Sequence, residues 1–162
     1  MSLMKYQEPH VQRLIDAFNN GQTVIDGSET GTGKTYTACY IAKKLGLKPI
    51  IICPRSVITP WRKVLDQFKT EYYGISNYES IRNAKWFTPD TPDTKTKTKF
   101  ITKLGANDFK WELPDDAIII FDEAHRCKNA STINSKLLTA LKPTNNKVML
   151  LSATIADKPK LF

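Results

Sequence analysis

S-E-T-G-T-G-K-T, residues Ser28–Thr35, is the stretch whose reading decides the fold. It stands between a short apolar run, Thr23–Asp26, and a helix-like segment, Lys34–Leu45. A glycine-rich loop between a strand and a helix is suited to hold phosphate. Gly31 and Gly33 let the backbone bend so that successive N–H groups point inward. The helix that follows turns its positive end toward the same point. Lys34 is placed to reach the β- and γ-phosphates, and Thr35 to put its hydroxyl on Mg²⁺. Ser28, Glu29, Thr30 and Thr32 complete the loop, with Ser28 where G-x-x-x-x-G-K-T has its first glycine. The competing reading is a Gly/Thr-rich turn with an accidental Gly-Lys-Thr, and the strand–loop–helix order argues against it.

The second signature is Asp122-Glu123-Ala124-His125, directly after the apolar run Ala117–Phe121. Ligands of parallel sheets bind beyond the carboxyl ends of the strands, so Asp122 is expected near the phosphates. Its carboxylate can hold Mg²⁺ directly or through water. Glu123, one residue on, can orient and deprotonate an attacking water. Taken alone, an acidic pair after a strand is a solvated strand end, and His125 an ordinary surface or core histidine. The phosphate loop gives the pair its meaning, and two adjacent carboxylates with separate roles suit hydrolysis better than transfer to a bulky acceptor.

Working outward, apolar strands alternate with helical stretches, the pattern of an α/β fold with a parallel sheet. Pro9–Phe18 has Val11, Leu14, Ile15 and Phe18 at helical spacing. Lys48–Cys53 reads as a buried strand, Pro60–Phe68 as a helix with Pro60 near its start, Tyr72–Ile75 as a strand and Tyr78–Arg82 as a short helix. Thr132–Leu141 reads as a helix capped by Ser131, and Lys147–Ser152 as a last strand. Residues 83–116 differ. Thr88–Lys99 reads T-P-D-T-P-D-T-K-T-K-T-K, low in complexity and poor in apolar residues. It is expected to be a mobile excursion outside the core, returned to the body by Phe100, Ile101 and Leu104. Lys95, Lys97 and Lys99 read as a solvated face or an accessory DNA contact, and Trp86 and Trp111 as anchors or base-stacking platforms.

With 162 residues the chain is expected to form one domain, 1–162, large enough for a core without staples. Met1–Leu3, ahead of a second methionine, reads as an expression scar. Cys39, Cys53 and Cys127 form no C-x-x-C pair, so neither a disulfide framework nor a zinc site is expected. No apolar run approaches the ~20 residues of a membrane span, and the N-terminus lacks the apolar core of a signal peptide. An intracellular protein, cytoplasmic or associated with nucleoid or nucleus, is expected. The net charge of +8 suits a polyanionic partner or simple solubility equally.

On these residues the chain resembles the first RecA-like lobe of superfamily 2 helicases and translocases, from Tyr6 to Thr154. The resemblance implies a three-layer P-loop NTPase domain around a mostly parallel sheet, with ATP and Mg²⁺ as cofactors. Tyr6-Gln7 is similar to the adenine-reading Q-motif, and Ser28–Thr35 to motif I, where serine is tolerated first. Pro54-Arg55-Ser56 looks like motif Ia, which touches the nucleic-acid backbone, and Asp122–His125 like the D-E-A-H box. Ser152-Ala153-Thr154 looks like motif III, which couples nucleotide state to nucleic-acid binding, a role shared with His125. Without the resemblance, Arg55 reads as a solvated charge or, from its place at the sheet edge of the phosphate loop, a contact to backbone phosphate, and Ser152 and Thr154 as a strand cap or a hydrogen-bonded link to a neighbouring strand end. Pro54–Val57 leading to Trp61, Asn77-Tyr78-Glu79-Ser80, and D-E-A-H-R-C-K-N at Asp122–Asn129 lean to the Swi/Snf-type branch. That branch implies movement on double-stranded DNA, with Asn77 and Tyr78 joining the nucleic-acid contacts. Glu29–Thr35 is also similar to the loop of DEAH-type RNA helicases.

The family's second RecA-like lobe carries an arginine finger, worth about 10³–10⁵ in rate in related enzymes. No residue here matches it, so a slow or inactive lobe from a longer protein is expected. Two other classes compete. A P-loop kinase would need an acceptor pocket and an arginine-bearing lid, and D-E-A-H argues against it. A non-catalytic nucleic-acid-binding module would use the charge and leave the loop inert.

Overall fold

In the computed structural model, residues 8–27, 33–128 and 132–152 are described. The chain runs α1 (Glu8–Phe18), β1 (Thr23–Asp26), α2 (Gly33–Lys44), β2 (Lys48–Cys53), α3 (Ile58–Gln67), β3 (Gly74–Asn77) and α4 (Tyr78–Ile81). Four short strands follow: β4 (Lys85–Trp86), β5 (Thr96–Lys97), β6 (Ile101–Gly105) and β7 (Asp108–Trp111). Then come β8 (Ala117–Asp122), α5 (Ile133–Thr139) and β9 (Lys147–Leu151).

The central sheet has the order β1-β9-β8-β2-β3, and every pairing in it is parallel. The apolar runs read from the sequence form its middle, as strands buried on both faces require. Their alternation separates two cores. Ile51, Cys53, Ile118, Ile120, Met149 and Leu151 face the layer of α1, α2 and α3. Ile50, Ile52, Ile119, Phe121, Val148 and Leu150 face the layer of α4, α5 and the short strands. Each such aliphatic side chain contributes roughly 1.5–3 kcal/mol when fully buried, so a one-residue register slip would exchange the two cores.

Local chemistry sets the ends of the elements. Helix α2 buries Thr37, Ala38, Cys39, Ile41 and Ala42, mostly small residues that let it lie close on the sheet. It stops in a Schellman turn: Leu47 N–H donates to Ala42 O at 2.8 Å, Gly46 N–H donates to Lys43 O at 3.1 Å, and Gly46 has φ +70°. Helix α3 begins at Ile58, two residues before Pro60, because a 3-10 turn over Arg55–Val57 leads into it. Strand β3 lies two residues further on than the composition suggested, since Tyr73 N–H bonds Pro49 O and pairing with β2 follows from Gly74. Helix α5 is capped by Thr132, whose side chain accepts from Ser135 N–H. Ser131, the expected cap, lies outside the described residues.

Segment 83–116 corrects the expectation that it stands apart from the core. Trp86, Ile101, Phe109 and Trp111 are buried in the second core. β6 and β7 form an antiparallel hairpin, and β4 pairs with β5. Phe100 meets the rings of Tyr73 and Trp86 edge-on, both at 5.3 Å. Leu104 does not return the segment to the body: it is 58% exposed, next to the register shift of the hairpin. Trp86 and Trp111 are anchors, and the Trp111 indole N–H donates to Leu137 O at 3.0 Å. Gly74 is required beneath Trp86, because a Cβ there would lie 2.5 Å from the indole. The three cysteines are free and buried, and burial pushes the thiols of Cys39 and Cys127 up to about 12. Trp111→Ala is expected to cost about 3–5 kcal/mol, the range for a truncated core aromatic, in urea denaturation followed by circular dichroism. A change below about 0.5 kcal/mol would return the segment to the surface.

Candidate functional site

The register of the sheet brings five strand ends together. Asp26 is level with Leu151, Leu151 with Asp122, and Cys53 with Asn77, while Ile52 pairs with Phe121 one step before the edge. From this single edge leave the phosphate-loop segment after β1, Pro54–Ser56 after β2, Tyr78 after β3, Glu123–His125 after β8 and Ser152 after β9. Every sequence-predicted site residue that is described therefore lies along one edge. Tyr6, Gln7, Ser28, Glu29, Thr30, Gly31, Thr32 and Thr154 lie outside the described residues.

Asp122 ends a strand flanked on both sides, so its carboxylate is largely enclosed. The indole N–H of Trp61, itself 1% exposed on α3, donates to Oδ2 at 2.9 Å. The Glu123 backbone N–H donates to Oδ1 at 2.8 Å. From the other face the Tyr78 hydroxyl donates to the Asp122 backbone oxygen at 2.6 Å. Burial raises the Asp122 pKa; the Trp61 and Glu123 hydrogen bonds oppose that, the Glu123 charge adds to it and the Lys34 charge lowers it. A partly desolvated carboxylate facing a lysine is a poised ligand for a hard cation.

Gly33, Lys34 and Thr35 open α2, half-buried. Burial pulls the Lys34 pKa down, and the carboxylates of Asp26 and then Asp122 push it back up. The charges of two strand-end carboxylates thus act on the Lys34 ammonium. Asp26 was not expected. It is fully buried at the end of β1 and shares a 2.9 Å contact with His10 Nε2 from α1. The only signal in the sequence was an acid ending an apolar strand just before the loop. Among the described residues no cluster of His, Cys, Asp and Glu could cage a metal. The Asp122 carboxylate is of the kind that Mg²⁺ takes, since that ion uses one or two carboxylates and otherwise keeps water and phosphate oxygens.

Glu123 has left-handed backbone angles, φ 51° and ψ 51°, unusual for a side chain of its type. This kink turns the chain off the strand into a 3-10 turn, Ala124–Cys127. The Glu123 carboxylate is exposed and lies 3.5 Å from Arg126. His125 Nδ1 lies 3.1 Å from Ser152 Oγ, and Ser152 N–H donates to Asp26 O at 3.2 Å. Ser152 therefore links the strand end before the phosphate loop to the D-E-A-H segment, through its backbone N–H to the strand end and its hydroxyl to His125.

Along the same edge, Arg55 and Ser56 are exposed and Pro54 is buried beneath them. Asn77 is 7% exposed, and its side-chain oxygen has no hydrogen-bond partner among the described residues. Tyr78 sits deeper than a surface contact requires. It is 3% exposed, its ring lies 6.3 Å from that of Phe121, and Arg126 stands over it at 5.9 Å. Trp61 and Tyr78 are the supports that motif reading undervalued, because their role lies in contacts with Asp122 across the sheet.

Fold and site together define a class, the nucleotide-binding lobe of an ATP-dependent helicase or translocase domain. Residues 1–157 match the family described as "Type III restriction enzyme, res subunit", and the chain belongs to that family. A relative from Acanthamoeba polyphaga mimivirus, named as an ATP-dependent RNA helicase, is 43% identical over 165 residues, covering 96% of this chain and 31% of the relative. A Caenorhabditis elegans homologue of a SWI/SNF-related, matrix-associated, actin-dependent regulator of chromatin is 28% identical, covering 95% of this chain and 22% of the relative. The chain thus spans a third or less of the length of these relatives. The solved Sulfolobus solfataricus SWI2/SNF2 ATPase core in complex with dsDNA superposes with a TM-score of 0.62 at 18% identity, over 99% of this chain and 34% of that one. At that identity the likeness establishes the RecA-like fold. The resemblance to superfamily 2 helicase lobes therefore holds. Among the described residues no helix is long and apolar enough to cross a membrane.

The Trp61–Asp122 bond favours the ionised carboxylate. Trp61→Phe is expected to cost about 1.5–3 kcal/mol at neutral pH for the charge-assisted bond, beyond the smaller ring's loss of packing. Without the donor the folded-state pKa of Asp122 rises further, so the bond's share of the penalty is full above that pKa. It fades as pH falls and the carboxyl is protonated. Urea titrations of both proteins at neutral and acid pH measure this. A penalty independent of pH would show that packing alone is lost.

Proposed function

We propose that this chain is the ATP-binding lobe of an ATP-dependent translocase or helicase that moves on double-stranded DNA. The observation that supports it best is the shared edge, where the strands bearing Asp26 and Asp122 end together and the Arg55 loop leaves the adjacent strand. Tyr6 and Gln7 read adenine, and Ser28–Gly33 wrap the phosphates. Lys34 exchanges its two carboxylates for the β- and γ-phosphates. Thr35 and Asp122 hold Mg²⁺, which would neutralise phosphate charge when bound. Glu123 orients a water and takes its proton as the water attacks the γ-phosphorus and the bond to the β–γ bridging oxygen breaks, leaving ADP and inorganic phosphate; its exposed carboxylate leaves room for that water. Pro54, Arg55, Ser56, Asn77 and Tyr78 form the side that follows the nucleic-acid backbone, with buried Tyr78 as its support. His125, Ser152 and Thr154 pass the state of the nucleotide to that side. A second RecA-like lobe of the same longer protein supplies the arginine finger.

A second reading has its own observation. The 43% identical relative is named as an RNA helicase, so RNA is the alternative track. Binding to DNA and RNA duplexes of one sequence separates the two. Tighter binding to DNA supports the first reading, and tighter binding to RNA replaces it.

Lys34→Ala is expected to weaken ATP binding by tenfold or more, since a charge-assisted contact is worth about 1.5–3 kcal/mol. Glu123→Gln should leave that binding intact. Titration calorimetry with Mg–ATP reads both, and full binding by Lys34→Ala would overturn the mechanism. The chain alone should hydrolyse ATP slowly or not at all, with or without DNA, for want of a finger worth about 10³–10⁵ in rate. Brisk DNA-stimulated turnover would show that the catalytic machinery is complete here.

A further inference from the structure

The edge that carries Arg55 and Asn77 continues past β3. Ile75 pairs with Phe87 in antiparallel fashion, and the Ser76 hydroxyl donates to Lys85 O at 2.7 Å. Two residues along, that register sets Lys85 beside Asn77, at the carboxyl end of β3. β5 is antiparallel to β4 and places Lys97 directly opposite Lys85. Trp86 turns inward over Gly74, so alternation turns Lys85 outward, and both lysines are exposed. Asn77, Lys85 and Lys97 thus stand on successive strands, a row of roughly 10 Å at ordinary strand spacing, and Arg55 opens the 3-10 turn after the neighbouring strand β2.

The charges in this row are unbalanced. Like charges directly opposite each other destabilise a strand pair. Among the described residues no carboxylate is within ion-pair distance of Lys85, Lys95, Lys97 or Lys99, whereas Lys48, Arg62, Lys110 and Arg126 each have one. No acidic residue occurs from Lys95 through Lys103. A polyanion relieves this repulsion, and the proposed track already leads one past Asn77. Trp86 is 7% exposed and covered, so the surface offers charge and no stacking platform.

Resting on the proposed nucleic-acid track, we propose that Lys85 and Lys97 bind backbone phosphates of duplex DNA and extend that track beyond β3 onto the β4–β5 ribbon. The test is fluorescence anisotropy with a labelled DNA duplex across a salt series, comparing the chain with Lys85→Gln/Lys97→Gln and with Lys85→Arg/Lys97→Arg. Neutralising two phosphate contacts should weaken binding roughly tenfold at about 0.1 M salt and flatten the slope of log K against log salt by about 2. The loss should be the same on unrelated sequences, with an RNA duplex run alongside, and the arginine variant should bind as the parent does. Circular dichroism and Mg–ATP binding of the glutamine variant should match the parent. If the parent binds duplex and the glutamine variant keeps both affinity and slope, the inference fails and the track stands. A loss confined to one sequence overturns phosphate contact. If the parent binds no duplex, the reading of the track fails and takes the inference with it.

Discussion

The hydrogen bond from the Trp61 indole to Asp122 is the interaction around which the molecule is arranged. It spans from α3, on one face of the sheet, to the end of a strand flanked by neighbours on both sides. A carboxylate at that position loses most of its water, and without donors it would take up a proton. Trp61 and the Glu123 N–H counter this loss, and the Lys34 charge works in the same direction. Tyr78 fixes the backbone of the same residue from the opposite face. Both cores of the domain thus meet at one charged group, and placing these partners depends on the parallel register beneath them.

A second consequence of that register is a chain of polar contacts along the edge. Asp26 O accepts from Ser152, and Ser152 Oγ lies against His125. The strand before the phosphate loop is therefore tied to the D-E-A-H turn through the strand between them, with no long side chain needed. Glu123 departs from ordinary backbone geometry at this point, and the fold carries that cost where the chain must leave the strand at once.

Residues 83–116 show how local composition misleads. The run Thr88–Lys99 is poor in apolar residues, and read alone it cannot bury enough surface to stay on a core. Its flanks decide otherwise. Trp86 and Phe100 close on each other across it, and Phe109 and Trp111 alternate inward on the hairpin that follows. Their packing partners are Gly74, Tyr73 and Leu137, distant in sequence, so no window along the chain could reveal them.

By itself the sequence determined the kinds of element and the chemistry. Continuous apolar runs of strand length, glycines in a loop, and acids after a strand are local signals, and each acts through its own backbone or next neighbours. They sufficed for an α/β parallel sheet, for Lys34 and Thr35 at the start of a helix, and for an acidic pair at the end of a buried strand. Only the tertiary structure decided which strand lies beside which, and with it that Asp26, Ser152, Asp122, Arg55 and Asn77 share one edge. It also decided that Tyr78 is a buried support, that Trp61 holds the carboxylate, and that buried Asp26 meets His10. The physical reason is that strand order and register are set by how two apolar faces are buried at once, a property of the whole sheet that no single segment carries.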